Sequence, residues 1–289
     1  MISTDTPQPT FGKASRPGHL RKRIGTWVLF LIVLALGLAT IFPILWMFSS
    51  SLKGSAEQYN LKLLPANPSL ANYRYVFSAI PFWRYMVNSL FISVTVTVAA
   101  LFFHSMAAYS LARLRFPGRE FIFLAIFATM LVSLPVILVP LFILVREFHM
   151  LNSYAGLIVP SIFHAFGIFL LRQFYIGIPR ELEEAAIIDG AGYWRVYWNI
   201  IMPLSKPILA ALSVFFFLAN WNSFLWPLTI TTNQNLWVVQ IAISSFQQQY
   251  SSSQNYIMAA SVVVAMPTML LFLFFQRQLV ESIKTSGFK

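Results

Sequence analysis

Glu184–Pro203 reads EAAIIDGAGYWRVYWNIIMP, and it is polar where the chain around it is apolar. Upstream, Pro179 followed by Arg-Glu-Leu-Glu-Glu is a good helix start, because proline suits the first turn and acids there complement the positive end of the dipole. Glu181, Glu184 and Ile188 fall on one face of that helix. Ala185 and Ala186 give it a thin flank that allows close approach to a partner. Gly190 and Gly192 can take the left-handed conformation that ends a helix, with Asp189 just before the turn. Tyr193 to Ile201 can then form a second short helix, and Pro203 and Pro207 mark a return to apolar sequence. An acidic solvated linker would share the charge, but it would not need the alanine pair, the glycine break and the aromatic return. The segment reads as a docking element in water.

The rest of the chain says what the element is attached to. Of 289 residues, 58% are hydrophobic and only 10% charged, which is a membrane composition. Six apolar stretches approach the roughly 20 residues a bilayer requires, at about 25–47, 86–111, 121–145, 155–174, 207–229 and 257–276. The first is too long for a signal-peptide core and lacks a small-x-small exit. Fifteen Lys and Arg, in the N-terminal tail, the loops after spans 2 and 4 and the C-terminal tail, lie on one side; Lys53, Lys62, Arg74, Arg84 and Arg146 lie on the other. The positive-inside rule therefore puts both termini and the Glu184 loop in the cytoplasm. The net charge of +11 comes from these span flanks and forms no continuous stripe for nucleic acid.

Several chemistries drop out. There is no Cys, so disulfides and thiolate sites are excluded. His19, His104, His149 and His164 show no metal-ligand spacing. His104 reads as a packing residue, and His164, near Ser161 and Gly167, as the better candidate for lining a pathway. No acid sits mid-span, which weighs against ion coupling, and no G-x-x-x-x-G-K-[ST] run offers a phosphate loop. Pro135 and Pro140 are expected to distort the third span strongly. The outer segment 231–256, without Lys or Arg, reads as a solvated connector or a surface for an external partner. Asn220-Trp221-Asn222 in the fifth span combines amides with a flat apolar ring, the mixture that sugar hydroxyls and C–H faces favour. It serves equally well as an interfacial belt.

The spacing Glu184-Ala185-Ala186, Gly190, Ile200, Pro203 resembles the coupling motif of permease subunits in binding-protein-dependent ABC importers. Met202 replaces the usual leucine before the proline with little change in volume. PSLANYRYVF, Asn88-Ser89-Leu90, AYSLARLRFPGR, FLLRQFY and the ending QRQLVESIK are similar to the carbohydrate-type permeases, in particular the second maltose permease subunit. The glycine-rich terminus of that group is reduced here to TSGFK. The resemblance implies an all-α polytopic protein of six transmembrane helices and a cytoplasmic coupling helix. Its parts would be a tail at 1–23, a transmembrane domain at 24–276 with the coupling loop at about 179–206, and a tail at 277–289. It further implies a bacterial or archaeal inner membrane, a homologous second permease, two ATPase subunits that bind the ATP and Mg, and an external solute-binding protein. Glu184 would meet a basic group on an ATPase, and the solute would be a sugar or a related osmolyte. Glycerol phosphate is the alternative, and an ion-driven carrier is the other class.

Overall fold

The computed structural model describes residues 18–286, with side chains described over 25–276. Most of the two expected tails therefore lies outside the described residues. All regular elements among those described are helical, as hydrocarbon requires of any chain that cannot close its own barrel. Four helices are long and apolar enough to cross a bilayer alone: Gly25–Ser51 within α1 (Gly18–Ser51), α3 (Phe82–Arg113), Tyr154–Ile176, and Gln254–Gln276 within α14 (Gln254–Ser286). Two bent pairs raise the number to six if each counts as one span.

The expected third span is one of these pairs. Helix α4 (Arg119–Ala128) meets α5 (Leu134–Glu147) at 109°. The break falls at Ser133, which is extended, so Pro135 occupies the first turn of the second helix, where its missing N–H costs nothing. Pro140 is carried inside α5. The expected fourth span comprises α6 (Tyr154–Ile162) and α7 (Ala165–Ile176). The fifth is not continuous: α11 (Lys206–Trp221) stops at Asn222, and α12 (Leu225–Ile230) resumes after it.

Helix α3 is the axis of the assembly and packs along both α7 and α11. Its buried face mixes large side chains such as Tyr85, Ile92, His104 and Tyr109 with the small Ser89, Ser93, Thr97, Ala100, Ser105, Ala108 and Ala112. Small side chains let backbones approach closely, which matters in lipid, where burying apolar area between helices gains little. Near the inner end Ser105 Oγ and Tyr197 OH share a hydrogen bond of 2.6 Å. At the outer end Asn88 Nδ2 donates to the Asn235 and Trp237 carbonyls, while its Oδ1 accepts from Tyr154 OH. Ser89 Oγ accepts from the Val239 amide.

The outer loops are structured. The predicted connector at 231–256 holds α13 (Val239–Gln249), which buries Val239, Ile241, Ala242 and Phe246. It is thus a packed cap, because an apolar i, i+2, i+3, i+7 pattern lies hidden among its glutamines. Opposite it, α2 (Ala71–Ala79) buries Asn72, whose amide donates to the Ser51 and Lys53 carbonyls at 2.7 and 2.8 Å. Asn255 Nδ2 donates in turn to Asn72 Oδ1. One side chain thus joins the ends of α1 and α14 to the outer cap. Replacing it strands two carbonyls and an amide, so Asn72→Ala is expected to cost at least about 2 kcal/mol, read as a lower melting temperature of the purified protein. A loss below about 0.5 kcal/mol would show that water reaches this junction and replaces the amide.

Candidate functional site

The polar loop folds as an elbow. Helix α8 (Glu181–Ile188) and α9 (Tyr193–Val196) flank a turn, and α9 runs through a π-helical turn (Tyr197–Ile201) into α10 (Met202–Leu204). That unit then bends 75° into α11. The turn has the two hydrogen bonds of a Schellman motif: Ala191 N–H donates to Ala186 O, and Gly190 N–H to Ile187 O. Gly190 has φ +85°, a conformation that costs other L-residues roughly 1–2 kcal/mol. Ala186 and Ala191, the two positions such a motif brings together, both pack against the inner core. The alanine pair and the glycine are therefore parts of one turn. Gly192 departs from expectation: it is extended, at φ −74° and ψ 164°, and caps α9.

The predicted docking residues divide by exposure. Glu184, Ala185, Asp189, Gly190 and Pro203 face out, Ala186 and Ile200 are half-buried, and Ile200 packs against the inner core. Around them stand large exposed apolar side chains, with Ile188 85% and Tyr193 and Trp194 each 62% accessible. A water-facing helix tip of this kind has a surface to offer a partner.

What fixes the elbow to the spans is Glu183, which the sequence reading did not single out. It is buried, and its Oε1 lies 2.8 Å from Arg113 Nε at the end of α3. The contact is an ion pair without the alignment of a hydrogen bond. Arg113 also donates to the Ile178 carbonyl. A second pair lies alongside: Arg172 Nη2 reaches both oxygens of Glu120 at 3.0 Å, its Nε donates to Leu111 O, and its guanidinium sits 3.8 Å from the Phe123 ring centroid. The signal for both pairs was in AYSLARLRFPGR and FLLRQFY, but only as conspicuous arginines. Their partners are 52 and 70 residues away in sequence, out of reach of local pattern.

Farther into the spans, the four predicted pathway residues separate. Trp221 is buried, stacks on Phe217 and donates from Nε1 to Val264 O, so it joins α11 to α14 and leaves no free ring face. Asn222 is exposed and accepts from Gln240 Nε2. The ring of His164 stacks on Phe216 at 5.1 Å, and its backbone N–H, freed by the break between α6 and α7, donates to His104 Nε2. The two histidines thus close a helix break, and Gly167 leaves room for Phe216 and His104, since a Cβ there would lie 2.4 Å from Phe216 Cζ and 2.7 Å from His104 Nδ1. Asn220 alone of the four lines a cleft. With Ser89, Ser161, Ser223 and Trp226 it surrounds about 10 Å³, near the least space that holds one water.

The described residues thus form an all-α chain with four to six candidate membrane helices and an exposed apolar elbow. Comparison with known proteins places it further. Residues 104–285 match the family described as binding-protein-dependent transport system inner membrane component. The chain is 34% identical over 266 residues to the arabinooligosaccharides transport system permease protein AraQ of Bacillus subtilis, covering 90% of this chain and 95% of that one. It is 33% identical over 278 residues to the sn-glycerol-3-phosphate transport system permease protein UgpE of Salmonella typhi, covering 92% and 99%. Its fold is similar to a crystal structure of a bacterial ABC transporter involved in alginate import, with TM-score 0.80, 23% identity and coverage of 93% and 99%. The chain belongs to the binding-protein-dependent inner-membrane permeases.

The Glu183 pair yields a test. Burial pushes the Glu183 carboxyl above the ordinary carboxylate range, against the pull of Arg113 and then Arg180. A group that binds its proton more tightly when folded loses stability as pH rises from its unfolded value through its folded one. Arg113→Ala leaves a buried carboxylate uncompensated and is expected to cost about 3 kcal/mol, more at pH 8 than at pH 5. Glu183→Gln should cost less and flatten that pH slope. Thermal melts of both variants decide it: equal losses with unchanged slopes would mean the pair is solvated.

Proposed function

We propose that this chain is one of two permease subunits that form the pathway of an ATP-driven importer for a sugar or sugar-like solute. The elbow carries the reading: a helix tip with exposed Glu184, Ile187 and Ile188 has the shape to sit in a socket of a cytoplasmic ATPase. Supporting it are the family, the arabinooligosaccharide relative and the four long apolar helices with the bent pair of α4 and α5. In this reading both termini and the elbow are cytoplasmic, the solute arrives from an external binding protein, and ATP and Mg are bound and consumed in two ATPase subunits. Glu184, Ala185, Ala186, Asp189, Gly190, Ile200 and Pro203 form the coupling unit. Alternating access then follows from rigid-body motion transmitted through the socket.

The cleft at Asn220 has room for little more than one water, so the preference for a neutral polyol over a phosphate monoester rests on the sequence: no Lys or Arg lies in the apolar stretches 121–145 and 207–229, whereas a phosphate monoester would call for one. The glycerol-phosphate relative makes that solute the control. In vesicles holding the whole importer, arabinooligosaccharide uptake should need ATP and survive an uncoupler. Loss of uptake on collapse of the ion gradient would move the chain to the ion-driven carriers.

The elbow itself is tested by two substitutions. Glu184→Lys reverses the exposed charge, and Gly190→Pro forbids the positive φ. Each is expected to lower uptake at least tenfold while the abundance of the chain in the membrane stays near wild type. Normal uptake at normal abundance would remove the elbow from the mechanism.

A further inference from the structure

The corner between α3 and α4 holds a cleft of about 480 Å³ on the same face as the elbow. Three arginines line it, Arg115, Arg119 and Arg180, against one carboxylate, Glu120. That carboxylate is already shared. Arg119 pairs with it at 2.9 Å, and Arg172 takes both of its oxygens. The guanidiniums of Arg115 and Arg180 make no hydrogen bond or ion pair among the described residues, although the charge of Arg180 is felt at Glu183. Two guanidiniums without carboxylate partners thus border one cleft. Its other wall is apolar: Phe116 and Phe121 line it, Phe121 is 76% exposed, and the exposed side continues through Ile122 and Leu124 along α4.

We propose that this cleft is a binding site for the headgroup phosphate of an anionic phospholipid, whose acyl chains lie along Phe121 and Leu124. The guanidinium fork suits phosphate oxygens, and basic pockets beside membrane helices on the cytoplasmic side select anionic headgroups. A free phosphate shares the chemistry of the arginines but has no use for an apolar wall that runs on into the membrane. A lipid held here would brace the corner next to the Arg113–Glu183 and Arg172–Glu120 pairs. The inference adds to the importer reading and does not depend on the transported solute.

The test uses the full-length chain in its assembled complex, delipidated in detergent and supplied with phosphatidylglycerol or with phosphatidylcholine of the same acyl chains. Native mass spectrometry reads the lipid retained. Phosphatidylglycerol should be retained in preference. Affinity should fall about fivefold for Arg115→Gln or Arg180→Gln, and about twentyfold for the pair. Neither guanidinium makes a hydrogen bond or ion pair, and thermal melts check that Arg180→Gln, which weakens the field at Glu183, leaves the chain folded; Arg115→Lys should keep most of the affinity, and Arg74→Gln at the outer face all of it. Equal retention of phosphatidylcholine, or a double variant that binds like wild type, overturns the site. Displacement of the lipid by millimolar inorganic phosphate overturns the lipid assignment in favour of a soluble anion. Loss of ATPase copurification in the double variant, with lipid binding unchanged, overturns it in favour of a protein contact. Failed uptake with intact lipid selectivity would count against the importer reading and leave this one standing.

Discussion

Backbone amides and carbonyls cannot be left bare in hydrocarbon, and at three departures from helix among the described residues a side chain meets that constraint. Where α6 and α7 separate, His104 on α3 accepts the liberated amide. Where α12 ends, the Asn152 carboxamide oxygen accepts from the Thr232 and Asn233 amides. At the end of α11, Asn220 and Asn222 donate back to Phe216 and Leu218 carbonyls. The polar residues of the spans are thus mostly structural fittings. This is why a sequence with so few of them still uses Asn, Ser and His at depth.

Two long-range ion pairs gather where α8 and α4 meet α3 and α7. Arg113 and Arg172 are buried at the ends of α3 and α7, and each finds its acid on a neighbouring element. A pair buried on both sides, as Arg113–Glu183 is, is a weak source of net stability, but breaking it is expensive; in the other pair only Arg172 is buried, and Glu120 is exposed. The two pairs join α8 to α3 and α4 to α7. The apolar contacts of Ala186 and Ile200 with the inner core act in the same sense. The elbow is therefore held by one charge pair, by the buried Val196, Tyr197 and Ile201, and by the Ser105–Tyr197 hydrogen bond, while most of α8 stays open.

The legible part of the sequence was the part governed by local rules. Apolar length marked the spans, and the run from Glu184 to Pro203 showed both its helices and the turn at Gly190, because a Schellman turn is written in consecutive residues. Local rules failed where tertiary partners decide. Trp221 looked suited to a sugar, yet its indole nitrogen serves the Val264 carbonyl, 43 residues on. Glu183 looked like one more solvated acid until Arg113 came to meet it. Residues 231–256 looked like a connector because glutamines and serines diluted the apolar positions that α13 buries. Gly192 looked equivalent to Gly190, and only the backbone distinguishes the helix end from the helix start.

Arg113 and Asn88 belong to the same uninterrupted helix. At about 1.5 Å per residue the 32 residues of α3 extend roughly 48 Å. The helix holds the elbow near one end and the outer cap near the other. A stiff rod gripped at both ends cannot tilt at one without moving the other. Torque delivered to the inner corner is thus felt at the Asn235 and Trp237 carbonyls by geometry alone, with no relay of side-chain rearrangements in between. In this architecture the long, unbroken helix serves as the driveshaft, and the broken ones supply the compliance around it.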